Sequence, residues 1–188
     1  QAARGPGARI ERGHHGIVAM SAATAAPLRR LKRCTHALRD FGRQRLWQRA
    51  AWLMRRMPHN AMQADVFVYS AVISAFEKGH QDVRALAMLR EMQAKGPQPN
   101  VVSYNSTISA CEKSGQWQQA LDLLGEMPER SVAADAITYT ACISACEKGQ
   151  QWQRAVVLLE GLRQRGLRPN IITFNVLISA YDRGQQWE

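Results

Sequence analysis

The chain has 188 residues, 46% of them apolar, 21% charged and 7% aromatic, which is enough apolar material for a buried core. No stretch approaches the roughly 18 uninterrupted apolar residues of a membrane helix, and Cys34, Cys111, Cys142 and Cys146 are too scattered for a small secreted disulfide framework, so a reducing compartment is expected. Twenty-five Lys and Arg against fifteen Asp and Glu leave a formal charge of +10, which points to a polyanionic partner.

That charge is uneven. Residues 1–60 hold thirteen basic groups against Glu11 and Asp40, whereas residues 61–188 hold twelve basic and thirteen acidic groups. Bulk attraction therefore belongs to the first third, and the rest depends on where its cations point. The chain begins at Gln1 and closes at Glu188 inside a repeating pattern, and is expected to be a slice of a longer protein.

Gly, Ala and Arg dominate residues 1–30, which lack usable apolar periodicity and are expected to form a basic, disordered N-terminal arm. An Arg- and Ala-rich, acid-poor stretch also fits the remnant of an organellar targeting segment, or part of a helix from a preceding unit. The His14-His15 pair within it has no acidic or cysteine companion at a metal-ligand spacing.

From residue 31 the chain repeats itself. Ile108-Ser-Ala-Cys-Glu-Lys113 recurs thirty-five residues later as Ile143-Ser-Ala-Cys-Glu-Lys148, and the same offset relates Ile73-Ser-Ala-Phe-Glu-Lys78 and Ile178-Ser-Ala-Tyr-Asp-Arg183. Trp47, Trp117, Trp152 and Trp187 share one register, with Asp82 in place of a Trp, and Ala50, Ala85, Ala120 and Ala155 share another. The units are 31–65, 66–100, 101–135 and 136–170, followed by 171–188 as the first helix of an incomplete one.

Each unit is predicted to be two helices. In 101–135, Tyr104, Ile108 and Cys111 lie four and three apart on one face of a first helix, which Gly115 breaks. A second stripe of Ala120, Leu123, Leu124 and Met127 stops at Pro128, and a polar loop ends at Asp135. The next unit repeats this with Tyr139, Ile143 and Cys146, then Ala155, Leu158, Leu159 and Leu162, with a stop near Gly166 and Pro169. Tyr104, Ile108, Cys111, Leu123 and Leu124 are expected in the core. Unit 31–65 is degenerate, with Lys32 where the others have Phe67, Val102, Ile137 and Ile172. A single hairpin cannot bury both its apolar faces. The expected fold is therefore all-α, an α-solenoid of stacked antiparallel helix-turn-helix pairs with at least seven helices between 66 and 188.

Val101-Val-Ser-Tyr-Asn-Ser-Thr-Ile-Ser-Ala-Cys-Glu-Lys113, the Ala120 to Met127 helix and the closing Asp135 resemble the pentatricopeptide repeat, an RNA-binding family of thirty-five-residue helical hairpins. The resemblance covers about residues 31–188 and is strongest from 66 onward. The wording from Ile143 to Trp152 is similar to dinoflagellate members of that family, which implies RNA work in an organelle, plastid or mitochondrion. A period of thirty-four would instead resemble the tetratricopeptide family, whose usual partners are proteins.

The resemblance implies that the fifth and last residues of each unit read one base of single-stranded RNA. Those pairs are Thr35 with Asp65, Ser70 with Asn100, Asn105 with Asp135, and Thr140 with Asn170, while the partner of Asn175 would lie past Glu188. Phe67, Val102, Ile137 and Ile172 are then expected to flank the bases. In the family's pattern Thr or Ser prefers guanine with Asp and adenine with Asn, and Asn with Asp prefers uracil. With the N-terminus toward the RNA 5′ end, the expected core is 5′-GAUA-pyrimidine-3′.

The chemistry suits that pattern. Single strands expose their Watson–Crick edges, Asp only accepts hydrogen bonds, and Asn both donates and accepts. Asn105, Ser109 and Lys113 are four apart and share a helix face, as do Thr140, Ser144 and Lys148, and Asn175, Ser179 and Arg183. Lys78, Lys113, Lys148 and Arg183, with Arg43 in the degenerate unit, are expected to meet phosphates from that concave face.

Plainer readings stand beside these. The Asn, Ser and Thr at the reading positions could be helix-start residues that stabilise the backbone. Cys111 and Cys146 occupy the slot of Phe41, Phe76 and Tyr181, a core slot, and Cys142 with Cys146 lacks the further ligands a metal needs. The Trp series is expected to anchor each second helix to the next unit, and His36, His59 and His80 are expected at the surface. No deaminase signature, carboxylate cluster or phosphate loop is present, so neither catalysis nor a cofactor is expected. The competing functions are a structural subunit of an organellar ribosome or other ribonucleoprotein complex, and a protein-binding helical repeat.

Overall fold

The computed structural model describes residues 22–57 and 64–183, with side chains from Arg33 to Asp182 outside that gap. Among them are nine helices and no strand: α1 (Ala22–Arg43), α2 (Trp47–Arg56), α3 (Val66–Lys78), α4 (Asp82–Lys95), α5 (Val101–Lys113), α6 (Trp117–Glu129), α7 (Ala136–Lys148), α8 (Trp152–Gln164) and α9 (Ile171–Arg183). They form the hairpins α1/α2, α3/α4, α5/α6 and α7/α8, and α9 opens a fifth unit. Seven of them lie between 66 and 183, as the period requires.

The unit boundaries are helix caps. Asp65, Asn100 and Asp135 sit in extended backbone and accept the N–H of Val68, Ser103 and Thr138 at 2.9, 3.0 and 2.8 Å, and Asn170 accepts that of Thr173 at 2.9 Å. The turns between paired helices are equally uniform. The N–H groups of Leu46, Gln81, Gln116 and Gln151 reach back to the carbonyls of Phe41, Phe76, Cys111 and Cys146, closing a Schellman turn each time. The residue before each is left-handed: Arg45, His80, Gly115 and Gln150 have φ of 56°, 55°, 72° and 57°. Only Gly115 takes that conformation without steric cost.

First helices touch one another in an unbroken row, α1, α3, α5, α7, α9. Each second helix packs its backbone against its own first helix and the first helix of the next unit. Among the described residues, consecutive second helices meet only through long side chains, as where Arg90 and Gln93 of α4 reach Glu126 of α6. A close inner row beside a spread outer row bends the stack and puts the first helices on its concave side. The core runs along it as two clusters, the second built on Ile143, Cys146, Ala155, Leu177 and Ala180 and joined to the first through half-buried Trp117, Leu121 and Leu158. Ala50, Ala85, Ala120 and Ala155 are fully buried at the helix crossings, together with Ile73, Ile108 and Ile143. Tyr104, Cys111 and Leu123 are buried as expected, but Leu124 is half-buried, because it lies a hundred degrees round α6 from Leu123.

Two boundaries differ from expectation. Residues 22–30, expected in the arm, are already helical, because the Ala-rich start and the Leu-Arg run of α1 have high helix propensity. Second, α6 continues through Pro128 to Glu129; so near the C-terminus the missing N–H removes a single bond. Residues 1–21, His59 and Trp187 lie outside the described residues, as does the side chain of Arg183. No described helix is long and apolar enough to cross a membrane.

Candidate nucleic-acid interface

Stacking sets Ser70, Asn105 and Thr140, the fifth residues of α3, α5 and α7, against the cap of the next first helix. Asn105 Nδ2 on α5 donates to Asp135 Oδ1 at 3.2 Å, and Ser70 Oγ on α3 lies 3.4 Å from Asn100 Oδ1. Thr140 reaches Asn170 through Thr173, whose Oγ1 is 2.8 Å from Thr140 Oγ1 and 3.1 Å from Asn170 Oδ1. Thr35 is half-buried on α1 and Asp65 caps α3, while Asn175 is exposed on α9. Asn100, Asp135 and Asn170 are thus each a cap and a neighbour of the preceding fifth residue together.

The Asn105–Asp135 pair has a defined protonation state. Burial alone would raise the Asp135 pKa, but the backbone and hydroxyl bonds from Thr138 and the amide of Asn105 overrule it and hold the carboxyl below its ordinary value. Asp135 is therefore an acceptor at neutral pH. Ser70 and Thr140 donate their own protons to the carbonyls of Val66 and Ala136, both at 2.7 Å, a back-bond typical of hydroxyls inside helices.

Beside the pairs runs a row of uncovered apolar side chains. Phe67, Val102, Ile137 and Ile172 are 61%, 51%, 65% and 58% exposed, although each is large enough to belong in a core. The cations lie two turns further along. Lys148 Nζ is 2.6 Å from Glu112 Oε1, Lys113 pairs with Glu77 in the same way, and Ser144 and Ser109 donate to the same two carboxylates. Ser179 continues the row onto Glu147 at 3.1 Å. Gly42 stands where a carboxylate facing Lys78 would be, and neither Lys78 nor Arg43 makes an ion pair among the described residues.

The tryptophans have other employment. A Cβ on Gly79 would come within 2.5 Å of Trp47, and one on Gly149 within 2.1 Å of Trp117, so these two Trp rings need a glycine in the next unit. Where Asp82 replaces Trp, Ser114 replaces the glycine and Gln116 donates to the Asp82 carboxylate at 2.7 Å. Arg84 and Arg154 cover the rings of Trp47 and Trp117 at 4.7 and 4.6 Å. Cys111, Cys142 and Cys146 are fully buried, and burial pushes the thiols of Cys111 and Cys146 up to about 11. They are packing residues. Among the described residues no group of His, Cys, Asp and Glu could hold a metal.

Two sets of residues escape sequence reasoning. One is the third residue of each unit, Ser103, Thr138 and Thr173, whose fully buried hydroxyls lie between the members of each pair. Its signal is the Ser or Thr before the aromatic of each unit, with Val68 the exception. The other is the carboxylate row of Glu77, Glu112 and Glu147, visible in the sequence only as the residue before each lysine.

Comparison with known proteins agrees with this architecture. The family model for the PPR repeat family matches residues 64–113 and 99–148, and that for the PPR repeat matches 137–167. The crystal structure of the pentatricopeptide repeat protein PPR10 from maize is similar at 30% identity and a TM-score of 0.65, over 79% of this chain and 21% of that one. PPR10 in complex with an 18-nt psaJ RNA element shares the fold at 21% identity and a TM-score of 0.71, over 82% of this chain and 23% of that one. The PPR domain of Arabidopsis thaliana protein-only RNase P 1, in complex with tRNA, shares it at 15% identity and a TM-score of 0.51, over 84% of this chain and 98% of that domain. The chain thus spans about a fifth of the length of PPR10, and no curated protein sequence matches it. The thirty-five-residue hairpin stacked here, caps and turns included, is the pentatricopeptide repeat, and the chain belongs to that family.

Proposed function

We propose that the concave face binds single-stranded RNA, one base per repeat, with a preferred core of 5′-GAUA-pyrimidine-3′. The observation that carries this is the Asn105–Asp135 pair, a donor and an acceptor 3.2 Å apart between the exposed side chains of Val102 and Ile137. An unstacked base entering between two apolar side chains meets polar groups at its edge, the arrangement that single-strand recognition requires. Thr35 with Asp65 takes guanine, Ser70 with Asn100 adenine, Asn105 with Asp135 uracil, Thr140 with Asn170 adenine, and Asn175 a pyrimidine. Arg43, Lys78, Lys113, Lys148 and Arg183 take the phosphates. The family's solved RNA complexes support the reading, and the work is assigned to an organelle, plastid or mitochondrion, in processing, stability, editing or translation of a transcript.

The test is a competition titration of GAUAU against GACAU with the unaltered chain and with Asp135→Asn. Exchanging an acceptor for a mixed donor and acceptor should relax the uracil preference toward cytosine and leave the flanking preferences in place. Binding of both RNAs by both proteins without discrimination would remove base reading. It would favour the second reading, a structural subunit of an organellar ribonucleoprotein complex. That reading draws on Glu77 and Glu112, which compensate two of the face's lysines.

A further inference from the structure

We propose that the buried third-position hydroxyl, above all that of Thr138, is a positioning residue that decides which base the preceding pair accepts; this rests on the base-reading proposal above. Thr138 is fully buried and out of reach of any RNA. Its Oγ1 lies 2.6 Å from Asn105 Oδ1 and 2.9 Å from Asp135 Oδ1, and it accepts the Asp135 N–H at 3.1 Å. A carboxylate can only accept. Asp135 therefore draws the NH2 of Asn105 toward itself and turns the amide oxygen to Thr138, whose single hydroxyl proton is shared between that oxygen at 2.6 Å and Asp135 Oδ1 at 2.9 Å.

The buried proton thus bridges both members of the pair and locks the orientation that Asp135 favours. What remains for a base is the second N–H of Asn105 beside the lone pair of Asp135 Oδ2 that the long 3.4 Å contact from Asn105 Nδ2 leaves open, a donor next to an acceptor. Uracil offers the complement, its O4 acceptor beside its N3–H donor. Cytosine offers the reverse order, an N4 donor beside an N3 acceptor, and is refused. With the oxygen of Asn105 released, the amide can rotate and the order is no longer enforced.

The other units carry the same device. Ser103 Oγ is 2.9 Å from Ser70 Oγ and 3.1 Å from Asn100 Oδ1, and Thr173 Oγ1 stands likewise between Thr140 and Asn170. Ser70 and Thr140 spend their protons on their own helices. A proton shared between the hydroxyls then comes from Ser103 or Thr173, which divide it with the cap oxygens of Asn100 and Asn170, and Ser70 and Thr140 are left as acceptors toward a base. Val68 occupies this place beside the Thr35 and Asp65 pair, so no third-position hydroxyl serves the first letter.

Thr138→Val is the direct test. Val68 occupies the equivalent place, fully buried with its cap intact at 2.9 Å. In competition between GAUAU and GACAU on the full 188-residue chain, the unaltered protein should prefer the uracil RNA. Thr138→Val should cut that preference about three- to tenfold, the worth of one hydrogen bond. Thr138→Ser should retain it, and preference at the neighbouring letters should not move in either variant. An undiminished uracil preference in Thr138→Val overturns the proposal. So does an equal loss in Thr138→Ser or a loss spread over all letters, since these mark a merely structural role. If the unaltered chain fails to distinguish the two RNAs, base reading itself has failed and this inference falls with it. Should Thr138→Val not fold by circular dichroism, Val68→Thr decides: it should sharpen the guanine preference of the first letter, and an unchanged first letter overturns the proposal.

Discussion

Replacing Glu77 and Glu112 together by Gln should strengthen RNA binding, because each carboxylate now holds a lysine that a phosphate would use. Lys113 and Lys148 are 30% and 37% exposed and their partners 15% and 18%, so these are partly exposed pairs worth about 0.2–1 kcal/mol each. Released to a phosphate, that becomes about 1.4- to fivefold in affinity per site, and about two- to thirtyfold for both. Gln preserves the shape and an acceptor for Ser109 and Ser144, so the stack stays closed. Fluorescence anisotropy of labelled GAUAU across a salt series measures the gain, which should be largest at low salt. Replacing Lys113 and Lys148 by Ala should flatten the log–log salt dependence by about 0.7 for each phosphate left without its cation. Glu91→Gln with Asp122→Asn, exposed residues of the outer helices, adds the same net charge away from the inner face. An equal gain from the outer pair would reduce the lysines to bulk charge, and no gain from the inner pair would remove them from phosphate binding.

The packing makes sharper statements about stability. Leu123→Ala should cost about 2–5 kcal/mol in urea denaturation, and half-buried Leu124→Ala clearly less. Gly149→Ala should destabilise by about 1–3 kcal/mol through collision with Trp117, whereas Gly125→Ala, with nothing within 4 Å of the new methyl, should stabilise α6 by about 0.5–1 kcal/mol. Asp135 carries a depressed pKa, so its contribution is complete above the ordinary value of 3.8 and is lost as pH falls through the lower native value. The acid-unfolding curve of Asp135→Asn should therefore be shallower in that window.

The period is legible because Ile-Ser-Ala-Cys-Glu-Lys occurs twice in one register, and a stack of hairpins is the arrangement that buries both its apolar faces. The pairing of fifth and last residues is legible only through a family resemblance, since nothing local brings Asn105 to Asp135. Their meeting depends on the cap of α7 packing against α5. The Glu77–Lys113 and Glu112–Lys148 ion pairs are hidden for a related reason. Their partners are 36 residues apart, one period and one residue, so the preceding unit's carboxylate rather than the neighbouring one takes each lysine. Thr138 looks in sequence like an ordinary helix-start hydroxyl because its second partner, Asn105, is 33 residues upstream. Pro128 signals a stop because its ring forbids a helix interior, yet at the penultimate position little is lost. Arg45, His80 and Gln150 carry no glycine signal for their left-handed turns, which the six-residue Schellman bond imposes on them.

Selection from a fully randomised RNA pool with the 188-residue chain tests the central claim most directly, because it presupposes no sequence. The retained RNAs should converge on GAUA followed by a pyrimidine, in that 5′ to 3′ order, with the uracil the most strongly enforced letter. A pool that is retained well above background but shows no enriched sequence would contradict base reading by these pairs and leave the face as a scaffold.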